Sequence, residues 1–228
     1  MRHYTGRVAE LQSDYQGRLT AWIACPPGAI PAAGQYVWAY APDIPEEVLP
    51  ATLFAAEIST WGFQVVSPIP PEWSLGCSLN LWGPLGNGFR LDRGIRRLAL
   101  AALQDIAYLT RLVAQALEQN ADVTLFAEVP LPPLPASVEV SPLTALPEAL
   151  TWADFLALDV PSSRLTELRS LLGLSPEGRL PCPAQVLVHT PMPCAGIAEC
   201  GVCAVETRRG WKFACRNGPV FDLQALLD

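Results

Sequence analysis

The chain has 228 residues, half of them apolar and only 16% charged, enough to bury a core as one large or two small domains. Its net charge of −7 would repel nucleic-acid phosphates and argues against that class of partner. The longest apolar-rich stretch, 98–117, is interrupted by Gln104, Asp105, Thr110, Arg111 and Gln115, so no membrane insertion is expected. The opening MRHYTGRVAEL lacks the apolar segment of a signal peptide, and a cytoplasmic location is the expectation.

Residues 1–90 read as β-structure. YTGRVAEL, RLTAWIAC, GQYVWAYA, TLFAAEIS, FQVVSPI and SLNLWG are short, rich in β-branched and aromatic residues, and separated by Gly, Pro and Asp. Such spacing predicts a small antiparallel Greek-key barrel. Residues 91–181 alternate instead, which predicts a small parallel α/β domain. RRLALAAL reads as a strand or a helix start. AYLTRLVAQALEQ places Leu109, Leu112, Val113, Ala116 and Leu117 at helical spacing. VTLFAEV and WADFLALDV read as strands, and SRLTELRSLLG as a helix stopped by Gly173. Asp105 suits a helix N-cap. Residues 182–228 open with the strand QVLVHT and continue into a cysteine-bearing loop.

Four of the seven cysteines carry the strongest chemical signal. Cys194, Cys200, Cys203 and Cys215 read C-x5-C-x2-C-x11-C within PCAGIAECGVCAVETRRGWKFACRNGPVF. Four thiolates complete a [2Fe–2S] cluster, and the pattern is close to the plant-type C-x4-C-x2-C…C spacing, with one more residue in the first gap. Small residues in that loop let backbone N–H groups turn toward the sulfurs. Zinc is the competing reading, although its four-cysteine sites usually pair two C-x2-C knuckles and only Cys200 and Cys203 form one here. Cys25 and Cys77 are expected as buried thiols, and Cys182, between two prolines, lies too far upstream to belong to the loop, with a substitute-ligand role as the alternative. His189 precedes the loop and is a candidate for hydrogen bonding to a sulfur. Glu199 would lower the cluster's potential. Trp211 is expected to cover the loop. No residue set for bond-making catalysis stands out.

The order barrel, α/β layer, cysteine loop resembles the electron-transfer subunit of two-subunit bacterial dihydroorotate dehydrogenases, a branch of the ferredoxin–NADP reductase superfamily. The residues that carry the resemblance are Gly34-Gln35-Tyr36, GPLGNGF at 83–89, and GPVF after Cys215. It implies a flavoprotein catalytic partner in a hetero-oligomer, pyrimidine biosynthesis as the setting, and FAD on the barrel. The family's R-P-x-S/T flavin motif reads Leu49-Pro50-Ala51-Thr52 here, so Thr52 is the implied FAD contact and the arginine is replaced. Arg90 and Arg93 are candidate substitutes. The family's glycine-rich nucleotide turn reads Ala101-Ala102-Leu103-Gln104-Asp105, and its later C-G-P motif is absent at Leu158-Asp159-Val160-Pro161. NAD(P) is therefore not expected. The function that follows is single-electron relay through a [2Fe–2S] cluster. A flavin-free docking relay and a metal-stabilised structural subunit are the alternatives.

Overall fold

Six strands close an antiparallel barrel: β1 (His3–Ser13), β2 (Leu19–Ala24), β3 (Tyr36–Tyr40), β4 (Ala51–Ile58), β5 (Gly62–Val65) and β6 (Ser78–Leu85), in the order β1-β2-β5-β4-β3-β6. The structure, a computed structural model, describes residues 2–44, 49–66, 69–194 and 196–227. Each strand expected from the sequence supplies one barrel strand; Ser67 and Pro68 of the expected 63–69 strand lie outside the described residues. Alternation does the sorting: in β6, Leu79 and Leu81 point inward while Ser78 and Asn80 point outward. Val8, Ile23, Val37, Leu53, Phe63 and Leu81 fill the interior.

The second layer is a six-stranded sheet. It contains β7 (Arg97–Ala102), β8 (Asp122–Ala127), β9 (Val138–Pro142), β10 (Phe155–Pro161), β11 (Ala184–His189) and, beyond the short β12 (Ala204–Val205) and β13 (Lys212–Phe213), β14 (Val220–Asp222). Its order is β14-β11-β10-β7-β8-β9, parallel except for β14, which runs antiparallel to β11. Central strands covered on both faces are apolar throughout. This holds for Leu98–Ala102 and for Phe155–Val160 apart from Asp159. It also explains why RRLALAAL is a strand: it lies between two strands and is covered on both faces.

Helix α1 (Thr110–Glu118) buries Leu112, Val113 and Ala116, as its spacing predicts. Asp105 caps the 3-10 turn Ile106–Tyr108 before it, accepting the Ala107 N–H at 2.9 Å. One-turn helices α2 (Leu146–Ala149) and α3 (Leu168–Leu171) follow. The helix expected over 163–173 is a 3-10 segment, Ser162–Glu167, running into α3, and Gly173 stops it at φ +63°. The expected iron–sulfur segment 182–228 shares its first and last strands with the sheet. The chain leaves β11, forms the cysteine loop, the β12–β13 hairpin and α4 (Ala214–Asn217), and returns as β14 beside β11.

Candidate iron–sulfur centre

Cys194 lies just beyond β11, Cys200 and Cys203 in the loop, and Cys215 in α4. Cys203 and Cys215 are buried, Cys194 is half-buried and Cys200 is exposed. The Cys194 sulfur is within hydrogen-bonding reach of Cys200 and Cys215, and Cys203 of Cys215, so the fold brings all four predicted ligands together. Among the described residues, no three Cys, His, Asp or Glu side chains gather about one ion position. The contacts run as a chain, Cys200–Cys194–Cys215–Cys203, and a binuclear cluster takes four thiolates, divided between two irons.

Burial raises the Cys194 pKa, but hydrogen bonds outweigh it and bring the thiol down to about 7. They come from the Ala198 N–H, the Cys200 thiol, and the N–H groups of Cys200 and Glu199. The loop can turn three successive N–H groups to one sulfur because Gly196 and Ala198 adopt left-handed backbone, at φ +83° and +63°. Cys215 is pushed up to about 12, first by burial and then by hydrogen bonding to, and charge on, Cys203 and Cys194. Cys194 and Cys215 are thus shifted in opposite directions within one group of sulfurs. A bound cation overrides both shifts and makes each sulfur a thiolate. The donor set fits an iron–sulfur cluster, which would supply a one-electron carrier.

The motifs that flank the loop form its seat. Tyr36, fully buried in β3, donates its hydroxyl to the Cys215 carbonyl at 2.9 Å. Asn87 donates its side-chain amide to the Asn217 carbonyl at 2.7 Å and bridges Pro219. Gly86 sits at φ +72°, where a Cβ would lie 2.6 Å from Pro219 and 2.7 Å from the Gly218 carbonyl. No larger residue fits between the two segments. Gln35 closes the same turn, donating to the Gly86 carbonyl at 3.1 Å. The sequence marks these segments as motifs but does not reveal that they touch.

Other predicted residues fall elsewhere. Thr52 lines a cavity of about 570 Å³ with Phe54, Gln104, Tyr108, His189 and Met192. Leu49 is 62% exposed, and neither Arg90 nor Arg93 lines the cavity. Arg18, in a neighbouring cavity, is already bound by Asp14 and Asp105. The cavity is wide enough for a flat ring. Its described lining offers no cation for a flavin diphosphate, so FAD as a whole does not fit these residues. His189 Nε2 lies 3.3 Å from Asp159, and its ring meets that of Tyr108 tilted at 53°, centroids 4.0 Å apart. Trp211 is 64% exposed and does not cover the loop, because the β12–β13 hairpin turns it outward. Glu199 is exposed, where water screens its charge. Cys25 is buried and Cys77 only partly so. Cys182 packs into the apolar core, where burial raises its pKa, with the nearby Asp154 charge adding to the effect.

Residues 190–227 match the iron-sulfur cluster binding domain of dihydroorotate dehydrogenase B. No curated protein matches the sequence. Among solved structures, the chain is similar to the NADH-dependent reduced ferredoxin-NADP oxidoreductase of flavin-based electron bifurcation. The TM-score is 0.72 at 19% identity, over 96% of this chain and 88% of that one. The ferredoxin reductase of carbazole 1,9a-dioxygenase gives a TM-score of 0.57 at 18% identity, over 75% of this chain and 63% of its own. An intact type IV self-sufficient cytochrome P450 monooxygenase gives 0.60 at 14%, over 90% of this chain and 36% of its own. At such identities the likeness is one of fold, a barrel followed by an α/β sheet. No helix is long and apolar enough to cross a membrane among the described residues. Residues 190–227 thus match the iron-sulfur cluster binding domain of dihydroorotate dehydrogenase B, and the chain around them has a barrel and α/β sheet similar in fold to the NADH-dependent reduced ferredoxin-NADP oxidoreductase.

Proposed function

We propose that the chain relays single electrons through a [2Fe–2S] cluster on Cys194, Cys200, Cys203 and Cys215. The partner is a flavoprotein of the dihydroorotate dehydrogenase kind, joined in a cytoplasmic hetero-oligomer. The observation that carries this reading is the convergence of the four cysteines within the matched segment, with one ligand, Cys200, at the surface. An electron needs a short path to the partner, and an exposed ligand supplies one. Around Cys200 the loop exposes Ile197 and Val202, apolar residues suited to a docking partner. Relay requires no bond-making side chain. In this division of labour, residues 1–90 form the seat, 91–181 the supporting layer, and 182–228 hold the cluster.

The cavity at Thr52 favours a second reading, in which a flavin ring is held there and the chain also exchanges electrons with it. Spectroelectrochemical titration of anaerobically purified protein tests both. Reversible one-electron reduction of a cluster spectrum supports the relay. An additional two-electron flavin wave favours the second reading. A metal centre that cannot be reduced and reoxidised leaves only a structural role and defeats the proposal.

A further inference from the structure

In an open parallel sheet, a ligand binds beyond the carboxyl ends of the strands, where the strand order reverses. That point here is the crevice between β7 and β10, because β8 lies on one side of β7 and β10 on the other. The turn after such a first strand offers its N–H groups to the diphosphate of a dinucleotide. In this chain the turn is Leu103-Gln104-Asp105, and it already holds an anion.

Asp159 reaches across from β10, where it is in register with Ala102 of β7. Its Oδ1 accepts the Leu103 N–H at 2.8 Å, and its Oδ2 accepts the N–H groups of Gln104 at 3.0 Å and Asp105 at 2.8 Å. The same Oδ2 lies 3.3 Å from His189 Nε2 on β11. Asp159 has no solvent exposure. A buried carboxylate is costly unless hydrogen bonds replace its hydration, and here three backbone amides do so. A second carboxylate stands at the end of the turn. Asp105 is 2% exposed and is held by Arg18, by the Tyr15 hydroxyl at 2.9 Å and by the Ala107 N–H. An incoming phosphate would find its donors taken and negative charge on both sides.

We propose that Asp159 is a built-in substitute for the diphosphate, which closes the dinucleotide crevice of this sheet from within. Hydride from a nicotinamide cofactor then has no seat beside β7, and electrons enter or leave by another route. The inference concerns β7 and β10 and does not rest on the cluster reading.

Calorimetric titration of the wild-type holoprotein and of Asp159→Ala with inorganic pyrophosphate, ADP-ribose and NADH tests it, with the visible spectrum recorded alongside. The wild type is expected to show no saturable binding up to about 1 mM, whereas the alanine variant gains at least about tenfold in affinity for pyrophosphate or ADP-ribose. Saturable NADH binding by the wild type overturns the proposal. So does a folded alanine variant that gains nothing. Asp159→Ser keeps one acceptor for the turn and serves if the alanine variant does not fold. Its thermal midpoint is expected to rise with pyrophosphate while the wild-type midpoint stays fixed, and no rise counts against the proposal.

Discussion

Tyr36 is a barrel residue whose hydroxyl meets a backbone carbonyl 179 positions further along the chain, that of the proposed ligand Cys215. The bond is buried, and removing it leaves an unsatisfied carbonyl. Tyr36→Phe should therefore cost about 1 kcal/mol, within the usual range for one hydrogen bond. It should also release iron to a chelator faster than the wild type, at an unchanged iron content on isolation. Equal release rates would mean that the ring alone positions Cys215. Cys203→Ala should abolish the cluster spectrum, because Cys203 is buried against Cys215, while Cys182→Ala should retain it. A lost spectrum in the second variant would make Cys182 a ligand. That the four cysteines come together was legible in the sequence, because their spacing resembles that of a ligand set. Tyr36 as a clamp was not, since it binds a main-chain carbonyl that every residue has.

At the scale of elements, the β1–β2 turn ties the barrel to the sheet layer. Arg18 bonds Asp14 at 2.7 Å and also pairs with the buried Asp105. Truncating one partner of a buried charge leaves the other uncompensated, so Arg18→Ala should destabilise the fold by about 3 kcal/mol in urea unfolding. Burial raises the Asp14 pKa, but hydrogen bonds from the Arg18 backbone and side chain and from the Gln16 N–H prevail and hold it below the usual carboxylate value. A depressed carboxylate stabilises the fold above its ordinary pKa, about 4, and that contribution is lost as the pH falls through the lowered value. Between about pH 5 and 2 the wild-type urea midpoint should fall more steeply than that of Arg18→Ala. Parallel curves would remove Asp14 from the account. The barrel strands were legible because each alternates against one core. Strands β12, β13 and β14 have two or three residues each, too few to show a period, and exist only because a partner strand is beside them.

For the whole molecule, the order of barrel, sheet and cysteine loop was legible. That the loop is anchored at both ends in the sheet was not, because β14 is too short to show a period, and its seat on the barrel through Gly86 and Asn87 was not, because those contacts join segments more than a hundred residues apart. In the proposed complex, the exposed Ile197 and Val202 beside Cys200 form part of the docking surface. Ile197→Glu should slow electron exchange with the partner by about tenfold or more while leaving iron content and potential near wild type. An unchanged rate would place the partner on another face. The central claim is that the four cysteines hold iron and sulfide. It is tested most directly by iron, sulfide and zinc content per chain after anaerobic purification. The account predicts about two irons and two sulfides. Stoichiometric zinc without sulfide would contradict it.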